Sequence, residues 1–198
     1  MKKPAPSDYD VLDVIRDRWS PHAFDPDREV PEKVVRSLLE AIRWSPSARN
    51  EQPWRILVLD SSVPEAKAHM ESCLNEGNVW AKRAPLFLLA IAKTLYTETR
   101  EPNLWCRYDV GAAVLSAVLQ ATSMGLVARQ IGGFDRVEAQ RLLEIPEGFE
   151  PATLLPVGYF GGLENLTDEQ VAHDKVEPRM RRTQDEFVFC GKWGSPYG

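Results

Sequence analysis

Only three cysteines occur in the 198 residues, Cys73, Cys106 and Cys190, and no two of them form a C-x-x-C pair. An odd, widely spaced set argues against a disulfide framework and a zinc knuckle, and makes a reducing compartment the default. Long apolar runs are also missing. The longest, Leu86 to Ala92, is far too short to span a bilayer. The first nine residues carry two lysines with no apolar stretch behind them, so no secretory signal is read there and a cytoplasmic protein is expected. Positive charge is in deficit, with 24 Lys and Arg against 29 Asp and Glu and a net charge of -5. That balance disfavours a nucleic-acid binder but leaves room for a local basic cluster.

Histidine is scarce as well. A serine or cysteine triad would have to draw its base from His22, His69 or His173. There is no G-x-S-x-G elbow, no Walker loop and no G-x-G-x-x-G, and Gly132-Gly133 is only a doublet. His69 and Cys73 share a helical face, which could be half of a metal site, but no second ligand pair accompanies them. No metal is expected.

What is present is a complete set of globular elements in an ordinary soluble composition, 43% apolar and 27% charged. One domain over residues 1–198 with a C-terminal arm is the expectation. Asp8 to Arg18 reads as a helix, followed by a loop interrupted by Pro21 and Pro26. Pro31 suits the first turn of a helix that carries Val34, Val35, Leu38, Leu39 and Ile42 at helical spacing and stops near Trp44. Ser45 to Pro53 is a second loop. Arg55 to Asp60 and Leu86 to Lys93 read as strands, and Pro64 to Glu76 as a helix. Asp109 to Met124, almost wholly small or apolar, reads as a central buried helix capped by Gly125. Leu126 to Ile131 and Thr153 to Phe160 read as strands, and Arg136 to Leu143 as a helix. From Leu163 onward the chain reads as polar and irregular, though Phe187, Val188, Phe189 and Trp193 need somewhere to be buried, and a partner subunit is one such place. Strands and helices do not alternate in strand–helix–strand repeats, so an α+β domain with a mixed sheet flanked by helices is expected.

The chemistry-bearing positions are polar loops far apart in sequence: Arg18 to Phe24, Ser45 to Trp54, Ile131 to Asp135, and Arg179, Arg181 and Arg182. Arginines make paired, charge-assisted hydrogen bonds to phosphate. Asn and Gln can donate and accept along the polar edge of a flat heterocycle. Glycine lets backbone amides approach such a ring. Where a cofactor carries the reaction, no catalytic protein residue is required, and none is assigned.

These segments resemble those of the nitroreductase family. Arg18-Trp19-Ser20-Pro21-His22-Ala23-Phe24 is similar to its opening Arg-x-Ser-x-Arg-x-Phe motif. Pro46-Ser47-Ala48-Arg49-Asn50-Glu51-Gln52-Pro53-Trp54 is similar to its Pro-Ser-x-x-Asn-x-Gln-Pro-Trp signature. Asp109 to Ala113, Ile131 to Asp135, Pro156 to Tyr159 and Arg179 to Phe189 follow in the family's order. The resemblance implies an α+β fold in an intertwined homodimer with FMN at the dimer interface. It implies electron transfer in a ping-pong cycle from NADH or NADPH to a small acceptor such as a nitroaromatic, quinone or enone. Carried over by position, Arg18, Ser20 and His22, with Trp19 and Pro21 between them, would meet the phosphate and ribityl region. Asn50 and Gln52, with Pro46 and Ser47 before them, would meet the ring side. Gly132, flanked by Ile131 and Gly133, would offer its amide near the reactive ring nitrogen. Arg179 and Arg181 would complete the phosphate site. One departure is His22, where the family usually has Arg or Lys; its charge near neutral pH is partial, and Arg49 or Arg182 could compensate. Trp80 and Trp105 are candidates to line an acceptor site. A flavin-binding or storage protein of the same fold, without turnover, is the alternative.

Overall fold

The structure, a computed structural model, describes residues 3–175 and 178–197. Four strands build its sheet: β1 (Trp54–Leu59), β2 (Leu86–Lys93), β3 (Val127–Ala128) and β4 (Phe149–Gly158), in the order β1-β2-β4-β3. Every pairing among them is antiparallel. The fold is α+β, and the sheet is antiparallel rather than mixed.

The central strand β2 shows why the run LFLLAIAK is apolar from Leu86 to Ala92, up to the half-buried Lys93 at its end. Successive side chains point to opposite faces. Leu86, Leu88, Ala90 and Ala92 enter one apolar cluster, with α2 (Glu32–Arg43) and α4 (Cys106–Ser123). Phe87, Leu89 and Ile91 enter a second cluster, with α3 (Pro64–Ser72) and α5 (Arg136–Leu142). Both faces of the sheet are therefore covered, and β2 has no solvent-facing side.

Four expectations shift. The helix read over Asp8 to Arg18 shrinks to α1 (Asp13–Asp17), which buries none of its residues and so gains little from packing. The helix read to Glu76 ends at Ser72, because Leu74 leaves it to bridge Phe134. The strand read over Leu126 to Ile131 is two residues of ladder and then an isolated bridge, Ile131 to Leu154. Between ladder and bridge the facing residue is Pro156, whose carbonyl accepts from the Arg129 N–H but which has no N–H of its own to return. Finally, the tail read as irregular contains α6 (Asp168–Lys175). Thr167 and Gln170 exchange hydrogen bonds across its first turn, a capping box visible in the sequence as Thr-x-x-Gln.

Helix α4 is long and central as expected, but not buried all round. Val110, Ala113, Val114, Ala117 and Val118 pack inward. Trp105, Tyr108 and Leu115 stand exposed. In the tail, Phe187 and Trp193 are exposed too, the latter at 90%. No helix among the described residues is long and apolar enough to cross a membrane.

Candidate functional site

The first motif folds into a half-buried corner. Trp19, Pro21, His22, Ala23 and Phe24 are buried, while Arg18 and Ser20 stay partly open. Arg18 Nη1 donates to Ser20 Oγ at 3.2 Å. A cavity of about 630 Å3 opens beside them, lined among others by Arg18, Trp19, Ser20, Arg129, Arg179 and Arg181. Lys3 and His173 also reach its wall, with Leu115 and Val118 of α4 forming an apolar side.

Among the described residues, no carboxylate lines this cavity. Burial first, then the neighbouring Arg181 charge, pulls the Arg18 guanidinium below its ordinary value. Arg179 is shifted the same way by burial and then by Arg18 and Arg181. Its Nη1 donates to the Arg18 carbonyl and its Nη2 to the Arg16 carbonyl at 2.7 Å. Its Nε is buried without a partner among the described residues. Crowded guanidiniums with a spare buried donor are costly unless an anion joins them. The donor set suits a phosphate monoester.

His22 is placed elsewhere. Its backbone N–H donates to Asp174 Oδ2 at 2.8 Å, and its Nδ1 lies 2.7 Å from Asp174 Oδ1. It does not line the cavity. The imidazole instead packs edge-on against Trp80 and His173. Asp174, fully buried, also receives His173 Nδ1 at 3.2 Å, and its carbonyl accepts from Lys3 Nζ at 2.7 Å. Burial pushes the Asp174 carboxyl up, but the hydrogen bonds from His22 and His173 outweigh it and hold the group below the ordinary carboxylate range. The three side chains come within 4.8 Å of one another. Lys3, bonded to the Asp174 backbone carbonyl, and Arg129, which feels the Asp174 charge, already place two cations beside the cluster, which opposes a further cation there.

The second motif is a strained turn on another face. Arg49, Asn50 and Gln52 all have positive φ, at 55°, 54° and 49°. Non-glycine residues rarely adopt this conformation, and it concentrates at functional loops. Ser47 Oγ accepts from the Gln52 N–H at 3.0 Å, and Gln52 Nε2 donates to Asn50 Oδ1 at 3.2 Å. The turn is tied to α4: the Ala48 N–H donates to Asp109 Oδ2 at 3.1 Å, and Ser45 Oγ donates to Ser116 Oγ at 2.8 Å. Pro46, Asn50 and Gln52 are exposed, and none of the four motif residues lines the cationic cavity.

The third segment alternates. Ile131 is buried and exchanges backbone hydrogen bonds with Leu154, so its polar groups serve the sheet. Gln130 and Gly132 point the other way. Gln130 lines both the cationic cavity and a second one of about 460 Å3, bounded by Arg107, Val110, Gly111, Arg136 and Thr153. A Cβ on Gly132 would meet only Arg136, at 3.7 Å, so the Cα side of this exposed glycine is open. Gly133 is glycine for packing: a Cβ there would lie 2.6 Å from Asn78 Nδ2, which donates to its carbonyl. The two cavities follow α4 from Val118 to Arg107, about 16 Å at the helical rise. Arg129 and Gln130 were not singled out from the sequence. The period-2 alternation around buried Ile131 was the available signal for Gln130, and no local signal marks Arg129. Trp80 is a core residue, stacked on Phe24.

The sequence pattern of the Nitroreductase family matches residues 15–159. The chain belongs to the nitroreductase family. A relative from Methanothermobacter thermautotrophicus, provisionally named NADH dehydrogenase/NAD(P)H nitroreductase, is 32% identical over 162 residues, covering 77% of this chain and 78% of that protein. A solved oxidoreductase containing FMN superposes with a TM-score of 0.88 at 30% identity, covering 96% of each chain. A nitroreductase family protein from Clostridium difficile shares the fold at a TM-score of 0.73 and 20% identity, over 93% of this chain and 99% of that one. As a nitroreductase family member, the chain carries its cationic cavity, its strained turn and the exposed Gly132 on separate elements.

Proposed function

We propose that this protein is an FMN-dependent oxidoreductase that takes electrons from NADH or NADPH and passes them, in a ping-pong cycle, to a small acceptor. The observation that carries the reading is the cationic cavity of Arg18, Arg179 and Arg181, whose buried Arg179 Nε has no partner and which no carboxylate faces among the described residues. Arg18, Ser20, Arg179 and Arg181 would hold the phosphate. Arg129, fixed by donation to the Ser20 carbonyl at 2.7 Å, supplies a permanent cation where His22 does not. Gln130 stands between the phosphate end and the ring end, and Gly132 presents its amide at the ring end. FMN bound there would supply the two-electron chemistry. The apolar wall of Val110, Leu115 and Val118 would exclude water from it.

The active unit in this reading is a homodimer. At about 100° per residue, Asp109 and Ser116 fall on one side of α4, while Arg107, Gly111 and Val118 fall on the opposite side. The turn bearing Asn50 and Gln52 is tied to the first side and the cavities open on the second. A single subunit cannot close both on one ligand. The exposed stripe of Trp105, Tyr108 and Leu115 runs between them. A twofold partner packed on that stripe would bring its own turn, with Pro46, Ser47, Asn50 and Gln52, to the other subunit's cavity.

The test is purification and flavin identification. The protein should carry or take up one FMN per subunit, released by heat and identified by chromatography, and NADH or NADPH should bleach it anaerobically. Stoichiometric FAD, or no flavin after reconstitution, would refute the cofactor. Tight FMN with no bleaching by either nucleotide would make it a flavin-binding protein without turnover.

A further inference from the structure

The smaller cavity, at the ring end, carries a charge that flavin binding does not use. Arg136 sits on its rim, at the first position of α5. Its guanidinium lies 5.0 Å over the Phe134 ring, which fixes its plane, and Nη2 makes only a long contact of 3.5 Å to the Ala152 carbonyl. The other arginine of this cavity, Arg107, is neutralised by Glu150 at 2.5 Å. Arg136 has no such carboxylate among the described residues. It is also the nearest group to the open side of Gly132, 3.7 Å from where a Cβ would stand.

We infer that Arg136 selects electron acceptors bearing a carboxylate, pairing with it while the reducible group lies beside Gly132. This rests on the proposed flavin reading and adds the acceptor's chemical class. A guanidinium presents a planar fork that matches a carboxylate in two parallel hydrogen bonds. Its position against Gly132 decides between the two anionic candidates. The charges of a nicotinamide dinucleotide lie a ribose away from its reacting ring, whereas a substituent on a small acceptor lies within a few ångströms of the reducible group. Donor phosphates therefore belong farther out, and the guanidinium beside the reacting end meets the acceptor.

The experiment compares 4-nitrobenzoate with 4-nitrobenzamide, which share shape and reducible group and differ in charge. Each two-electron turnover consumes one NADH and one proton and converts the nitro group to nitroso and water, followed as NADH loss. The wild-type holoenzyme should prefer 4-nitrobenzoate in kcat/KM. Arg136→Gln should lower the benzoate-to-benzamide ratio by roughly tenfold to a hundredfold, the scale of one charge-assisted contact. Arg136→Lys should restore part of it. Calorimetric titration of the oxidised protein with 4-nitrobenzoate should show the same loss of affinity. Melting temperature and flavin content of both variants check that the fold is intact. A wild-type ratio at or below one, or a ratio that Arg136→Gln leaves in place, overturns the inference while the flavin reading stands. A rise confined to the NADH KM overturns it too and moves Arg136 to the donor. Bound flavin absent, or neither acceptor reduced, brings down the flavin reading and the inference with it.

Discussion

Asp174→Asn should be among the most damaging isosteric changes in this chain. The carboxylate is fully buried, receives the His22 backbone N–H at 2.8 Å and Nδ1 at 2.7 Å, and receives His173 Nδ1 at 3.2 Å. An amide keeps the shape but offers one acceptor oxygen and turns an NH2 group toward donors. It also deprives the half-buried Arg129 of the Asp174 charge. Breaking a buried pair in this way costs roughly 3–5 kcal/mol, which for a chain of this size is a fall in Tm of about 6–20 °C. The pH dependence has a definite sign. The folded carboxyl is held below its ordinary value, so its contribution is complete above the unfolded pKa of about 3.9 and is lost as pH falls through the lower folded pKa. The Tm gap between wild type and Asp174→Asn should therefore be full from pH 5 to 7 and shrink below pH 4. Differential scanning calorimetry on flavin-free protein reads both. A gap of under about 2 °C at pH 7, or a gap that widens on acidification, would refute the account of Asp174 as the anchor of α6.

Three further outcomes follow from the geometry. His22→Gln should lower Tm at pH 7 yet leave the pH slope of FMN affinity between pH 6 and 8 as in wild type, since His22 does not line the cavity; fluorescence titration showing a changed slope would put it back on the phosphate. Asn50→Ala should weaken FMN by roughly 1–3 kcal/mol through a lost polar contact and lower apo stability by about 1 kcal/mol, because φ is 54° there; Asn50→Gly should lose the flavin affinity without the stability, and equal stability losses in both would refute the strain. Truncation after Asp185 removes Phe187 and Trp193, exposed in the single subunit; light scattering should then show monomer and flavin should be lost, whereas a persistent dimer would remove the tail from the interface.

Local sequence determined a good deal. The run Leu86 to Lys93 is β2 residue for residue, because only a strand covered on both faces is apolar at every position up to its end. Pro46 and Trp44 mark the end of α2, where Trp44 is the cap. The α6 capping box at Thr167 and Gln170 was also legible, though the polar composition around it masked it. The family's motifs, too, are strings of adjacent residues, and so a single sequence carries them.

Which of those residues meet was decided only in three dimensions. His22 reads as a phosphate ligand beside Arg18 and Ser20, yet an aspartate 152 positions away claims its backbone N–H and its Nδ1. Gln130 looks like an ordinary polar residue until its neighbour Ile131 is buried and turns it toward the cavities, and Arg129 until its guanidinium meets the Ser20 carbonyl, 109 positions away. Asn50 and Gln52 share a motif whose strained turn is set by hydrogen bonds to Asp109 and Ser116, on the far side of α4 from the cationic cavity. The physical reason is the same in each case. Periodicity and capping are local, acting within a few residues, whereas the partner of a buried charge is whatever the packed core brings to it, from any distance along the chain.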